Sequence, residues 1–192
     1  MDPDIESLLG QYAAVRLDME SVTANLSEAQ FLWKPGANKW SIAECLAHLV
    51  VVDGTDLPGL RESIGNARAK GITGHGPFQY GLWSGWFVKS MDAPVKRFKV
   101  SAPGAYLPHV AKDPRETLAE LLKIQNEVTE LVKSADGLDL ARVKVRLPIG
   151  PGLKMSLGRR FQLLAAHDRR HFWQARQVIQ SIDRSSLSAS ST

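Results

Sequence analysis

Apolar residues return at helical spacing over about residues 3–26, at Ile5, Leu8, Leu9, Tyr12, Val15, Met19, Val22 and Leu26. That period predicts a first helix. Pro3 suits its first turn, where a missing N–H costs nothing. A loop is expected to follow, with Pro35-Gly36 as its breaker. Ser41 and Glu44 form a capping box, Ser-x-x-Glu, that opens a second helix. Its apolar face is Ile42, Cys45, Leu46, Leu49 and Val52. The helix is expected to reach Asp53 or beyond, with Gly54 and Pro58 as positions that kink or end it.

A third helix opens at Asp113-Pro114-Arg115-Glu116, with Asp as the cap, Pro in the first turn and Glu near the positive helix end. Leu118, Leu121, Leu122, Gln125, Val128, Leu131 and Val132 form its face, and Gly137 supplies a left-handed stop. Residues 138–155 read as a loop with a short extended piece, since Val143, Val145 and Leu147 alternate with Lys144 and Arg146. A fourth helix is predicted from near Ser156 to about Ile182, on the stripe Leu164, His167, His171, Ala175, Val178 and Ile182.

Residues 70–113 interrupt this pattern. Many Gly and Pro residues break any long period there, yet Phe78, Tyr80, Trp83, Trp86, Phe87 and Phe98 load the same stretch with aromatics. A disordered linker rarely carries so many. The segment is expected to be ordered and to cover the open end of a site, with Trp83, Trp86 and Phe87 as candidate walls; the alternative is that the aromatics only pack the insertion onto the bundle. The pattern as a whole predicts an all-α fold: a four-helix bundle with a long insertion between the second and third helices. One domain is expected over residues 1–184, followed by a flexible Ser-rich tail over 185–192.

Composition narrows the picture. The chain has 192 residues, 44% hydrophobic and 23% charged, which excludes a disordered or collagen-like protein. Its single cysteine, Cys45, excludes an intramolecular disulfide and fits a reducing compartment. A net charge of +4 is too mild to argue for nucleic acid. No apolar run approaches the roughly 20 residues needed to cross a bilayer, and the acidic N-terminus does not read as a targeting segment. The expectation is a soluble cytoplasmic protein with no nucleic-acid or membrane partner.

The histidines carry the chemistry. His167 and His171 stand four apart on the predicted fourth helix, within its apolar stripe. They therefore share one face with a rise of about 6 Å between them. Imidazoles placed there need a hydrogen-bond partner or a metal, and this spacing lets two of them reach one divalent ion. The run reads His-Asp-Arg-Arg-His, so the glutamate of a zinc protease is missing. His48, on the side of the second helix shared with Cys45 and Val52, is the best third ligand. His75 and His109 lie in the Gly/Pro-rich insertion and are less constrained. Three imidazoles suit zinc, nickel, iron and copper alike; zinc or nickel is the expected ion.

Other candidates are weaker. Asp168 adjoins a ligand, but its side chain points about 100° away, toward the surface or a contact behind the ligand. Asp53 is a weaker candidate base, and Glu44 is explained by the capping box. Catalytic residues stay unassigned. Trp33 and Trp40 are expected to be core. Arg159, Arg160, Arg169 and Arg170 are expected to be solvated surface, with an anion grip as the sharper alternative.

Three blocks of the chain resemble the DinB/YfiT-like superfamily. The run from Trp33 through Lys34-Pro35-Gly36-Ala37-Asn38-Lys39-Trp40-Ser41-Ile42-Ala43-Glu44-Cys45-Leu46-Ala47 to His48-Leu49 is similar to its Trp-x-Pro loop, Trp-Ser-Ile start and His-Leu. Lys96-Arg97-Phe98-Lys99-Val100, with Pro103 and Pro108 after it, resembles its middle part. His167-Asp168-Arg169-Arg170-His171 resembles its last-helix His-x-x-x-His. The resemblance implies a four-helix bundle with one divalent metal on His48, His167 and His171. It also implies a metal-dependent enzyme that acts on a small-molecule substrate as a hydrolase, or as a transferase or isomerase with a low-molecular-weight thiol as cosubstrate. It implies a homodimer as well. A non-catalytic metal-binding or stress-response bundle acting as an interaction module is the alternative.

Overall fold

A computed structural model describes residues 1–94, 106–108, 113–148 and 152–189. The first helix, α1 (Pro3–Thr23), is capped by the Asp2 carboxylate, which accepts from the Asp4 N–H. It buries Ile5, Leu8, Tyr12, Val15, Met19 and Val22. The helix stops short of Leu26 because Asn25 turns left-handed, at φ 59°. A short helix, α2 (Glu28–Leu32), follows where a plain loop was expected. Its sequence signal is a second capping box, in which Ser27 and Gln30 satisfy each other's backbone N–H.

The next helix, α3 (Ile42–Ala69), runs on through Gly54 and Pro58. Its apolar phase explains why, since Leu57, Leu60, Ile64 and Ala67 keep facing the core beyond the proline. That burial outweighs the cost of one missing helical hydrogen bond, about 3 kcal/mol. The insertion holds α4 (Leu82–Met91), which packs against the last helix. Then come α5 (Pro114–Ser134), capped by Asp113, and a hairpin of β1 (Lys144–Arg146) and β2 (Lys154–Ser156). The strands pair antiparallel with Val145 opposite Met155. Val145 is buried between exposed neighbours, as the alternation predicts, and Gly137 has the expected left-handed backbone at φ 82°. The last helix, α6 (Leu157–Ala189), extends past Ile182 into the segment expected to be a tail.

The four long helices form the bundle. Their contacts run α3–α5, α1–α6, α3–α6 and α1–α5, so the order around the bundle is α1, α5, α3, α6. Two pairs of long helices that are consecutive along the chain, α1 and α3, and α5 and α6, stand diagonally. This arrangement sets α3 beside α6 and makes their histidines neighbours. Among the described residues, no helix is long and apolar enough to cross a membrane.

The insertion is fastened to the bundle at several points. Asp4 accepts from the Phe78 N–H and the Tyr80 hydroxyl, and the Arg159 guanidinium lies 4.9 Å from the Tyr80 ring centre. Asp92 pairs with Arg169 through two hydrogen bonds of 2.9 and 2.7 Å. Gly85 faces the Arg159 guanidinium, and a Cβ there would lie 2.8 Å from Nη2, so the arginine tip would have to shift. Phe98, the block at 96–100, Pro103 and His109 lie outside the described residues.

Candidate metal centre

His48 is on α3, and His167 and His171 are on successive turns of α6. Their Nε2 atoms converge: those of His48 and His171 lie 3.3 and 3.2 Å from that of His167. The protonation state of one ring follows from its other nitrogen. His48 Nδ1 is 2.6 Å from the carbonyl oxygen of Tyr106. A carbonyl only accepts, so Nδ1 carries the hydrogen and Nε2 of the neutral ring presents a bare lone pair. Burial lowers the pKa of all three imidazoles, His167 to about 3, and the charges of nearby groups push His167 and His171 further down. The rings are neutral near pH 7.

Protein groups alone do not satisfy this triangle. One ring nitrogen has one hydrogen or one lone pair, so His167 Nε2 is unable to bond well to both neighbours. Nitrogens held about 2.0–2.1 Å from one tetrahedral ion stand about 3.3–3.4 Å apart. The observed separations match, and the donor set is that of a transition-metal site with an open position.

The rings around the site differ from expectation. Trp40, expected to be core, stacks on His171 at 5.7 Å between centres and approaches His48 at 5.0 Å. It directly precedes the Ser41 cap, so the chain delivers it to the mouth of α3 beside His48. Trp33 does pack against the core. Trp83 and Trp86, expected as walls, face solvent at 85% and 58% exposure, with Phe87 at 37%. The described part of the insertion that touches the centre is Tyr106. His75 is elsewhere, bonded to Asp2 at 2.7 Å. Cys45 is buried, and burial pushes its thiol up to about 12, so it stays protonated.

A second polar group lies beside the imidazoles. Asp168 is not on the surface but 1% exposed, turned to the bundle axis. Its carboxyl faces that of Asp53 and accepts from Gln125 Nε2 at 3.2 Å. Burial raises both acids, Asp168 to about 7 and Asp53 well above the usual range, and the adjoining charge of Asp168 adds to the shift at Asp53. Both carboxyls therefore hold their protons more tightly than free carboxylic acids do. Tyr12 is close by on α1 and donates to the Phe161 carbonyl at 2.9 Å.

The four arginines are not a solvated face. Arg160 is buried and forms a two-pronged pair with Asp56, with Nε to Oδ1 at 2.9 Å. Arg170 is buried as well, while Arg159 and Arg169 hold the insertion. The reason is that α6 is covered on three sides, by α1, α3 and α4, so few of its directions open to water. Glu44 serves its cap, accepting from the Ser41 N–H at 2.8 Å and from Lys34 at 2.6 Å.

A four-helix bundle whose second and last long helices aim three neutral imidazoles at one point defines a metal-binding bundle protein. The chain belongs to the DinB superfamily, whose family model matches residues 11–175. Its fold is similar to that of YfiT from Bacillus subtilis, with a TM-score of 0.60 at 12% identity, over 93% of this chain and 87% of that one. YfiT is described as a probable metal-dependent hydrolase with an unusual four-helix bundle topology. No curated protein sequence matches the chain.

Proposed function

We propose that this chain is a metal-dependent enzyme, a hydrolase or a thiol S-transferase, with one divalent ion held by His48, His167 and His171. The observation that carries the reading is the convergence of three Nε2 atoms, with the Tyr106 contact leaving that of His48 as a lone pair. When bound, a divalent ion supplies Lewis acidity there and makes water or a thiol nucleophilic near neutral pH. The description of YfiT favours hydrolysis.

The protein's own residues prepare the site. Neutral imidazoles add no negative charge, so the full charge of the cation is available to a substrate. The Tyr106 carbonyl holds the His48 ring in one tautomer and one orientation. Trp40 stacks on His171 and lies tilted against His48, which packs both rings from one side.

The test begins with elemental analysis of the purified protein, followed by assays against esters, amides and thiol-reactive electrophiles with and without several thiols. The reading expects about one zinc or nickel per chain and turnover that chelation abolishes. Hydrolysis without thiol identifies a hydrolase, and thiol-dependent turnover identifies a transferase. Metal without turnover on any substrate class would leave a non-catalytic metal-binding bundle.

A further inference from the structure

Four buried polar atoms without hydrogen-bond partners among the described residues belong to neighbouring side chains: Asp53 Oδ1, Asp168 Oδ1, Gln125 Oε1 and His167 Nδ1. Unpartnered buried polar atoms are costly, and a buried water that accepts from His167 Nδ1 and donates to both carboxyls would satisfy three of these. The Asp53 and Asp168 carboxyls each place an oxygen within 4.8 Å of a ring nitrogen of His167. Because His167 Nε2 faces the other two imidazoles, Nδ1 is the nitrogen left to serve these acids. The separation is within the reach of one bridging water, and a buried water with two to four polar partners is ordinary.

We propose that the Asp53–Asp168 carboxyl pair positions His167, taking up its Nδ1–H through one bridging water. The inference rests on the metal-centre reading above. An acceptor on the Nδ1 side fixes the tautomer that presents Nε2 as a lone pair to the ion. The Tyr106 carbonyl does the same for His48, so two of the three imidazoles are oriented from behind. The two acceptors come from different elements, the insertion for His48 and the bundle axis for His167. A second cation on the same acids fits less well. The Gln125 amide donates an N–H into the pair, and a donor is unfavourable beside a cation.

The experiment uses the zinc-loaded full chain and its Asp53→Asn and Asp168→Asn variants. In the wild type, histidine-ring NMR is expected to show a slowly exchanging Nδ1–H on His167. In chelator competition, each variant is expected to keep its zinc site but bind about 10–100-fold more weakly. The cobalt-substituted variants are expected to show a shifted visible spectrum, which a loss of stability alone would not produce. The ring proton is read in the wild type, so the proposal stays testable if a variant fails to fold. An absent or fast-exchanging His167 Nδ1–H in a zinc-loaded wild type overturns the proposal, and so do unchanged affinity and spectrum in both variants. Loss of zinc as complete as in His171→Ala also overturns it, because the acids would then be ligands. A wild type that takes up no zinc, nickel or cobalt overturns the metal-centre reading itself.

Discussion

His48 Nδ1 donates to the carbonyl oxygen of Tyr106 across 2.6 Å. This bond joins the insertion to the candidate metal centre, through backbone rather than through an aromatic side chain. Substitution of the Tyr106 side chain would leave the carbonyl in place. The contact therefore depends on the path of the insertion, and the ways in which that segment is fastened bear on the centre.

His171→Ala is expected to abolish stoichiometric metal binding, because it removes one of three protein ligands. It also opens a space against Trp40. The loss in stability of the metal-free protein is expected to be about 1–2 kcal/mol, since the long apolar faces of the helices are untouched. Elemental analysis and denaturant melts of metal-free samples check both parts. A variant that keeps its metal and loses only stability would make His171 an ordinary core residue.

Asp56→Asn is expected to be costly, about 3–5 kcal/mol, because it leaves the buried Arg160 without its counter-charge. Replacing both partners, as Asp56→Leu with Arg160→Met, is expected to recover much of that loss. Urea denaturation of the single and double variants gives the comparison. Equal destabilisation in the two would show that Arg160 matters for packing rather than for charge.

Asp92→Ala removes the partner of Arg169 near the end of α4. Both side chains are partly exposed, so global stability is expected to change by no more than about 1 kcal/mol. Local opening is the sensitive readout. Amide exchange across residues 82–91 is expected to quicken while the core of α6 is unaffected, and mass-resolved exchange on the two proteins tests it. Unchanged exchange would mean that Arg159 and Tyr80 suffice to hold the helix.

Metal retention is expected to persist below the usual imidazole range. Protons compete with a metal only where the ligand titrates, and burial lowers all three imidazoles, His167 to about 3. A lowered histidine pKa keeps the neutral, metal-binding form as pH falls through about 6.5, the ordinary value. Dialysis at stepped pH followed by elemental analysis measures the midpoint. Release centred near pH 6.5 would contradict the depressed values.

Much of the centre was legible before any coordinates. The His-x-x-x-His spacing put two imidazoles on one face of α6, and the Ser41–Glu44 box set the phase of α3 that turns His48 inward. Such features are local, so residue order alone carries them. Asp168 was harder to read. Its angle from the ligand face was correct, but a helical angle does not say what lies in that direction. For Asp168 it is the bundle axis, where Asp53 and Gln125 wait. The same gap hid the burial of Arg160 and the exposure of Trp83.

The residues by themselves determined the helices, their caps and the facing of three histidines, because hydrogen bonding and apolar period act over a few positions. They also determined that a long insertion separates the second and third long helices. Only the tertiary structure decided that α3 lies beside α6, that Trp40 and not Trp83 meets the imidazoles, and that two acids meet behind His167. Those outcomes depend on which helix faces which, and helix packing is set by the summed fit of whole faces rather than by any short run of residues.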